Sequence, residues 1–209
     1  MPTIKEIAKA CNVSVATVSN IINHKGSVGD ATRERVEQVI REMNYTPNYV
    51  AKNLKTKNTR SIGVIAEDMT VFALPDIIDG ITEYCEEEDY QILLVNLRLY
   101  KKFQDKYYRD NRHKEIVRQE IQKLLAKQVE GIIYVAAHER LINIIPEDLP
   151  IPTVVAYGFT GSEKIPSVVV KDIKGAYDLV SYIVSKGHKK IGVIAGKKES
   201  IHTQSRLEG

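Results

Sequence analysis

From residue 61 onward the chain alternates short apolar runs with helical patterns, and that alternation limits the fold more than any other feature. The runs are Ser61–Ala66, Tyr90–Val95, Gly131–Val135, Pro152–Tyr157, Ser167–Val170 and Lys190–Gly196. Helical periodicity lies between several of them, over residues 75–88, 115–127 and from about 171 to 186. Strands joined by crossover helices pair in parallel, and a parallel sheet is covered on both faces, so its strands read as unbroken apolar runs. The expectation is six strands and an α/β core with a parallel sheet. There is no internal repeat and no low-complexity tract.

The first 44 residues follow a different rule. Thr3-Ile4-Lys5-Glu6 has the spacing of a capping box, in which the Thr hydroxyl and the Glu carboxylate each satisfy an amide at the helix start. Ile4, Ile7, Ala8 and Cys11 then fall on one helical stripe. Asn12 suits the left-handed conformation of a tight turn. Ser14 is a good cap for a second helix that turns Val18, Ile21 and Ile22 inward. After a loop, a third helix starts at Gly29 or Asp30, with Val36, Val39, Ile40 and Met43 on its apolar face. Asn44-Tyr45-Thr46-Pro47 stops it, because the residue before a proline avoids the helical region.

Charge divides the chain at the same place. Residues 1–60 hold ten Lys/Arg against five Asp/Glu, and the remainder twenty against twenty-two. A basic head on a near-neutral body points to a polyanion. The two cysteines, Cys11 and Cys85, fit a reducing compartment, and no Cys/His spacing suggests a metal. The N-terminus has no apolar signal segment, and no apolar run approaches the roughly 18 residues of a membrane span. No nucleophile elbow, phosphate-binding loop, dinucleotide fingerprint or zinc-protease motif is present. The five histidines are scattered. The expectation is a protein that is not an enzyme and uses no cofactor.

Helix, short turn, helix is the arrangement that sets a second helix into the major groove of DNA. Its outward positions are Val15, Ala16, Thr17, Ser19, Asn20 and Asn23. Asn20 can read adenine, and Val15 and Ala16 can meet a thymine methyl. Ser14, Thr17 and Ser19 carry short hydroxyls suited to phosphate oxygens. On pattern alone a small helical bundle without a DNA role stays open as the alternative.

Four N-terminal motifs bear on that choice: Thr3-Ile4-Lys5-Glu6-Ile7-Ala8, Val13-Ser14-Val15-Ala16-Thr17-Val18-Ser19, Thr32-Arg33-Glu34-Arg35-Val36 and Asn44-Tyr45-Thr46-Pro47-Asn48. Together they resemble the lactose-repressor (LacI/GalR) family of bacterial transcription regulators. The likeness continues through Ser61–Ile65, Val129–Ile133 and Gly187–Gly192. It implies a helix-turn-helix domain (1–46), a hinge with a hinge helix (47–60) and a periplasmic-binding-protein-like core of type I. The first effector subdomain would cover 61–160 and the start of a second would cover 161–209. It also implies a pseudo-palindromic double-stranded operator, a homodimer, a small-molecule effector such as a sugar or related metabolite, and a cytoplasmic, nucleoid-associated setting. The hinge position matching Leu54 wedges into the minor groove, and physics allows this, because an apolar wedge unstacks and kinks a duplex. Asn48, Ala51 and Lys55 would line the same contact, and Thr3, Thr32 and Tyr45 complete the implied DNA set. Asn20 stands where the family often has Arg, so base preference should move away from guanine.

For the effector, the resemblance implies Arg206, from Arg206-Leu207-Glu208-Gly209, and Asp172, with Ile173 in place of a family Asn. Asp68 and Phe72 follow the first strand, where a polar partner and an aromatic wall are expected. Family members continue beyond the position of Gly209. The expectations are therefore an incomplete second subdomain with exposed sheet edges, and as alternatives an effector-insensitive or inactive fragment, or a solute-binding module on the same core. The stretch Arg98–Lys114, with Tyr100, Phe103, Tyr107 and Tyr108 among cations, reads either as a solvated face or as a site for single-stranded nucleic acid or a phosphorylated ligand.

Overall fold

The computed structural model describes residues 2–46, 59–71, 73–104 and 113–209. Pro47, Asn48, Ala51, Leu54, Lys55 and Phe72, with Tyr107 and Tyr108, lie outside them. The chain divides into two compact units, Met1–Asn58 and Thr59–Gly209.

The first unit contains α1 (Ile4–Ala10), α2 (Val15–Ile22) and α3 (Asp30–Glu42). The apolar stripe of each helix meets the other two. Ile7, Ala8, Cys11, Val18, Ile21 and Val36 form a buried cluster, with Ile4, Ile22, Val39, Ile40, Met43 and Tyr45 packed at its edge. The capping box of α1 is formed in both directions. Glu6 N–H donates to Thr3 Oγ1 at 3.4 Å, and Thr3 N–H donates to Glu6 Oε2 at 2.6 Å. The Thr3 backbone N–H first, then the Thr3 hydroxyl donating to Glu6 Oε2 at 3.0 Å, hold the exposed Glu6 carboxyl below its ordinary range. Asn12 takes the left-handed conformation, with φ of 49°.

The second unit runs β1 (Ser61–Ala66), α4 (Leu74–Glu87), β2 (Gln91–Asn96), α5 (Leu99–Phe103), α6 (Lys114–Ala126), β3 (Gly131–Val135), β4 (Thr153–Ala156), β5 (Ser167–Val168), α7 (Asp172–Ser185) and α8 (Ile201–Glu208). The strands form one parallel sheet in the order β2-β1-β3-β4-β5. In its central strands Val64, Ile65, Ala66, Tyr134, Val135 and Val155 are fully buried. Helix α6 lays Val117, Ile121 and Leu124 into the same core. It comes close at Gly63, where an added Cβ would stand 2.8 Å from Leu124 Cδ1. A side chain in the middle of β1 would therefore have to displace Leu124.

One strand expectation fails and another is shortened. The run Lys190–Gly196 is not a strand: it pairs with nothing in the sheet, and Val193 and Ile194 are 68% and 103% exposed. Apolar, β-branched sequence makes a strand only when a neighbouring strand accepts its ladder, and among the described residues none lies beside it. The fifth strand is likewise only Ser167–Val168, and Val168, Val169 and Val170 are exposed. The exposed apolar side chains continue along α7 through Ile173, Tyr177, Leu179, Val180, Tyr182 and Val184. No helix of the described residues is long and apolar enough to cross a membrane.

Candidate nucleic-acid interface and effector cleft

Helix α2 begins where a side chain replaces the missing partner of its first turn. Ser14 Oγ accepts from Thr17 N–H at 3.0 Å and lies 2.9 Å from Thr17 Oγ1. Val18 and Ile21 anchor the helix in the core, so the opposite face is left outward. Ser14, Val15, Ala16 and Asn20 are exposed, and Thr17 and Ser19 are half-buried. This face combines two small apolar groups, one amide and hydroxyls, the types that meet thymine methyls, base edges and phosphates. Asn23 differs from its expected place on that face. It is half-buried, and its amide donates to Ser19 O at 2.7 Å, closing the C-terminal end of the helix. Gly26, in the loop beside Asn20, has φ of 74°, a left-handed conformation that favours glycine. Thr3 is exposed, Thr32 is half-buried in the first turn of α3, and Tyr45 is half-buried against the three-helix core.

In the second unit a cleft of about 500 Å³ opens at the carboxyl ends of β3 and β4. Ligands of open α/β sheets bind at strand carboxyl ends. His138 follows β3, Tyr157 follows β4, and His202 and Arg206 face the cleft from α8. Behind them lies Asp172, at the start of α7 and 8% exposed. Its Oδ1 accepts from Arg206 Nε at 2.6 Å, and its Oδ2 is bonded to His202 Nδ1. Burial opposes the charge on Asp172, but the bonds from His202 and Arg206 and their nearby charge outweigh it. The carboxyl is held below its ordinary range. Tyr157 stacks on His202, ring centroids 5.6 Å apart. Its hydroxyl is pushed above the usual range by burial first, then by Glu139 and Asp172. A wider recess of about 600 Å³ lies between α7 and α8 against Gly209 and has no strand end in its lining.

The structure thus brings Asp172 and Arg206 together, with His202 as a third member. It sets Asp68 elsewhere. Asp68 is 1% exposed and is not in the cleft lining. Its Oδ1 accepts from Thr70 N–H and hydroxyl at 3.0 and 2.6 Å, and its Oδ2 accepts from Lys101 N–H at 3.3 Å. Burial opposes its charge, but these bonds still lower its pKa. Asp68 therefore fastens the segment after β2.

The neighbouring Glu67, which sequence reasoning missed, fastens the segment after β3. Its buried carboxylate accepts from Tyr134 Oη at 2.5 Å, Ala137 N–H at 2.8 Å and Arg140 Nη1 and Nη2 at 3.0 and 2.6 Å. This holds the loop that carries His138. A carboxylate directly after an apolar strand was a readable signal for Glu67. His202 was readable too, four residues before Arg206 on one helix face.

Comparison with known proteins bears on the family and the fold. Residues 3–48 match the family model for bacterial regulatory proteins of the lacI family, and residues 59–209 match that for periplasmic binding proteins and the sugar binding domain of the LacI family. The chain is similar to the HTH-type transcriptional repressor PurR of Vibrio vulnificus, with 31% identity over 212 residues, all of this chain and 59% of that protein. It is similar to the HTH-type transcriptional regulator RegA of Clostridium saccharobutylicum, with 32% identity over 202 residues, 96% of this chain and 57% of that protein. The ribose operon repressor of Haemophilus influenzae is 28% identical over 209 residues, all of this chain and 59% of that protein. The chain thus spans about three fifths of the curated relatives it matches. In fold it resembles the lac repressor dimer bound to operator and the anti-inducer ONPF, with a TM-score of 0.70, 24% identity, and coverage of 99% of this chain and 59% of that one. On the two family matches, the chain belongs to the LacI family of bacterial regulatory proteins.

Proposed function

We propose that the chain is a sequence-specific DNA-binding transcription regulator, a repressor, whose operator affinity is tuned by a small molecule. The observation that carries this reading is the outward face of α2, where Val15, Ala16 and Asn20 stand exposed on a helix held by Ser14 and a packed core. Val15, Ala16 and Asn20 read bases. Thr3, Ser14, Thr17, Ser19, Thr32 and Tyr45 contact the backbone, and Asn23 acts by ending α2. Residues 1–46 form the reading domain and 47–60 the hinge, in which Leu54 is the minor-groove wedge flanked by Asn48, Ala51 and Lys55. Residues 61–160 form the first effector subdomain and 161–209 belong to the start of a second, and the effector is a sugar or related metabolite held by Asp172 and Arg206. The working unit is a homodimer on a pseudo-palindrome. The chain has no catalytic role and acts in the cytoplasm. Coupling is linkage: the effector prefers one subdomain arrangement, and that arrangement sets operator affinity.

Selection of bound duplexes from a random pool, at fixed moderate salt, tests the proposal. Enrichment of a two-fold-symmetric site supports it. Retention of DNA without sequence preference, lost steeply as salt rises, refutes it for this chain.

A further inference from the structure

We infer that Arg60, clamped between the starts of β2 and β3, is a positioning residue that fixes how the chain enters the sheet, and thereby the half-site spacing a dimer accepts. This rests on the operator-binding reading above and assigns a residue to its geometry.

Arg60 has an unusual backbone for its type. Its φ is 45°, in the left-handed region, which costs a residue with a Cβ free energy and persists where the surroundings over-determine it. Asp89 and Gln128 share that conformation, but each follows the cap of a helix, where it is ordinary. Arg60 instead stands immediately before β1. It is held from three sides. Its backbone N–H donates to Glu130 Oε1, just before β3, at 2.6 Å. Its carbonyl accepts from Gln91 N–H, at the start of β2, at 2.7 Å. Its guanidinium reaches the turn between α4 and β2. There Nε donates to Asp89 O at 2.9 Å, Nη2 donates to Glu88 O, and the group lies over the Tyr90 ring, 4.7 Å from the centroid. Tyr90 Oη closes the circuit by donating to Glu130 Oε2 at 3.2 Å. The flanking residues are tied as well. Thr59 Oγ1 donates to Gln128 O at 2.7 Å, and Ser61 Oγ donates to Thr59 O at 3.0 Å.

The clamp adds little stability. The Arg60 side chain is 46% exposed and that of Asp89 94%, and exposed ion pairs contribute little to folding. Its effect is on direction, because one left-handed residue is pinned to two neighbouring strands at once. The place gives that effect a use. Thr59 is the first residue of the second unit, so the covalent route by which the core acts on residues 1–58 runs through this junction. In a homodimer two such junctions carry two reading domains. Rigid junctions raise the effective concentration of the second domain at its half-site, and they favour one spacing of half-sites over others.

The test compares the wild-type 209-residue chain with Arg60→Gly, Arg60→Lys, Glu130→Ala and the double variant of Arg60→Gly with Glu130→Ala. Glycine accepts the left-handed backbone and removes only the side-chain contacts. Each protein is titrated with the symmetric duplex recovered by selection on the wild type, the same duplex with one base pair inserted at its centre, and a duplex with a single half-site. The insertion turns one half-site against the other by roughly 35°. Wild type should bind the symmetric duplex at least about tenfold more tightly than the inserted one. Arg60→Gly and Glu130→Ala should each lose about tenfold on the symmetric duplex, the factor expected from freeing the backbone of about one residue, and should separate the two spacings by less than about threefold. The double variant should lose no more than either single one, because both open the same clamp. Arg60→Lys keeps a cation over Tyr90 and should recover part of the spacing preference. Affinity for the single half-site and the urea midpoint should stay at their wild-type values. Unchanged symmetric-site affinity and spacing preference in Arg60→Gly overturn the inference and leave the operator reading standing. Equal losses on all the duplexes, with a lowered urea midpoint, mark a merely structural role and also overturn it. If the wild type recovers no symmetric duplex, the operator reading fails and the inference falls with it.

Discussion

Replacing Arg140 with Met should strongly destabilise the second unit while leaving its apolar core intact. Glu67 is fully buried and Arg140 is 18% exposed, and the two are joined by hydrogen bonds of 2.6 and 3.0 Å. Removing one member of a buried ion pair strands the other charge, which typically costs about 3–5 kcal/mol. Here Tyr134 and Ala137 still donate to Glu67, and Arg140 retains some solvent. The lower end, about 3 kcal/mol, is therefore expected. Adding Glu67→Gln removes the stranded charge but keeps an acceptor for one of the two remaining donors. The double variant should recover about 1–2 kcal/mol of the loss. Urea unfolding followed by tyrosine fluorescence measures this. The chain has 11 Tyr and no Trp, and only Tyr45 and Tyr49 precede residue 59, so the signal comes mainly from the second unit. A loss below about 1 kcal/mol, the range of exposed pairs, would refute the reasoning, because Glu67 would then be solvated.

Ser14→Ala should cost the first unit about 1 kcal/mol through loss of the α2 cap, read as a lower melting temperature of a fragment covering the three helices; an unchanged melt contradicts the cap. Gly63→Ala should cost about 1–3 kcal/mol, because the new methyl meets buried Leu124; Leu124→Val should relieve part of it in the same urea assay. The Asp172 carboxyl titrates below its ordinary value when folded, so its ionised form stabilises the fold above that ordinary value, and the contribution is lost as pH falls through the folded value. Wild type should therefore exceed Asp172→Asn in stability near neutrality, with the gap closing below about pH 4; a gap that widens on acidification would refute the assignment.

What was legible in the sequence is what short-range physics decides. The capping box at Thr3 and Glu6, the left-handed Asn12, the Ser14 cap and the stripe from Ile7 to Cys11 each depend on residues within a few positions. The alternation of apolar runs and helices likewise led directly to the parallel sheet. What failed depends on distant partners. Lys190–Gly196 has the composition of a strand, but strands exist by pairing, and its apolar side chains stand exposed. Asp68 looked available to a ligand, yet both oxygens are occupied by Thr70 and by Lys101, the latter 33 residues away. Glu67 and Arg140 are 73 residues apart, and no local pattern announces their union. In the cleft, the pairing of Asp172 with His202 and Arg206 arises only when α7 and α8 pack together.

The reading of DNA by α2 is the central claim, and one exchange tests it most directly. Asn20 is exposed on that helix, and an amide favours adenine where a guanidinium favours guanine. Duplex selection run in parallel on the wild type and Asn20→Arg should return two symmetric motifs that differ at one base pair per half-site, shifted toward guanine in the variant. The same motif from both proteins, or no motif from either, would contradict the account.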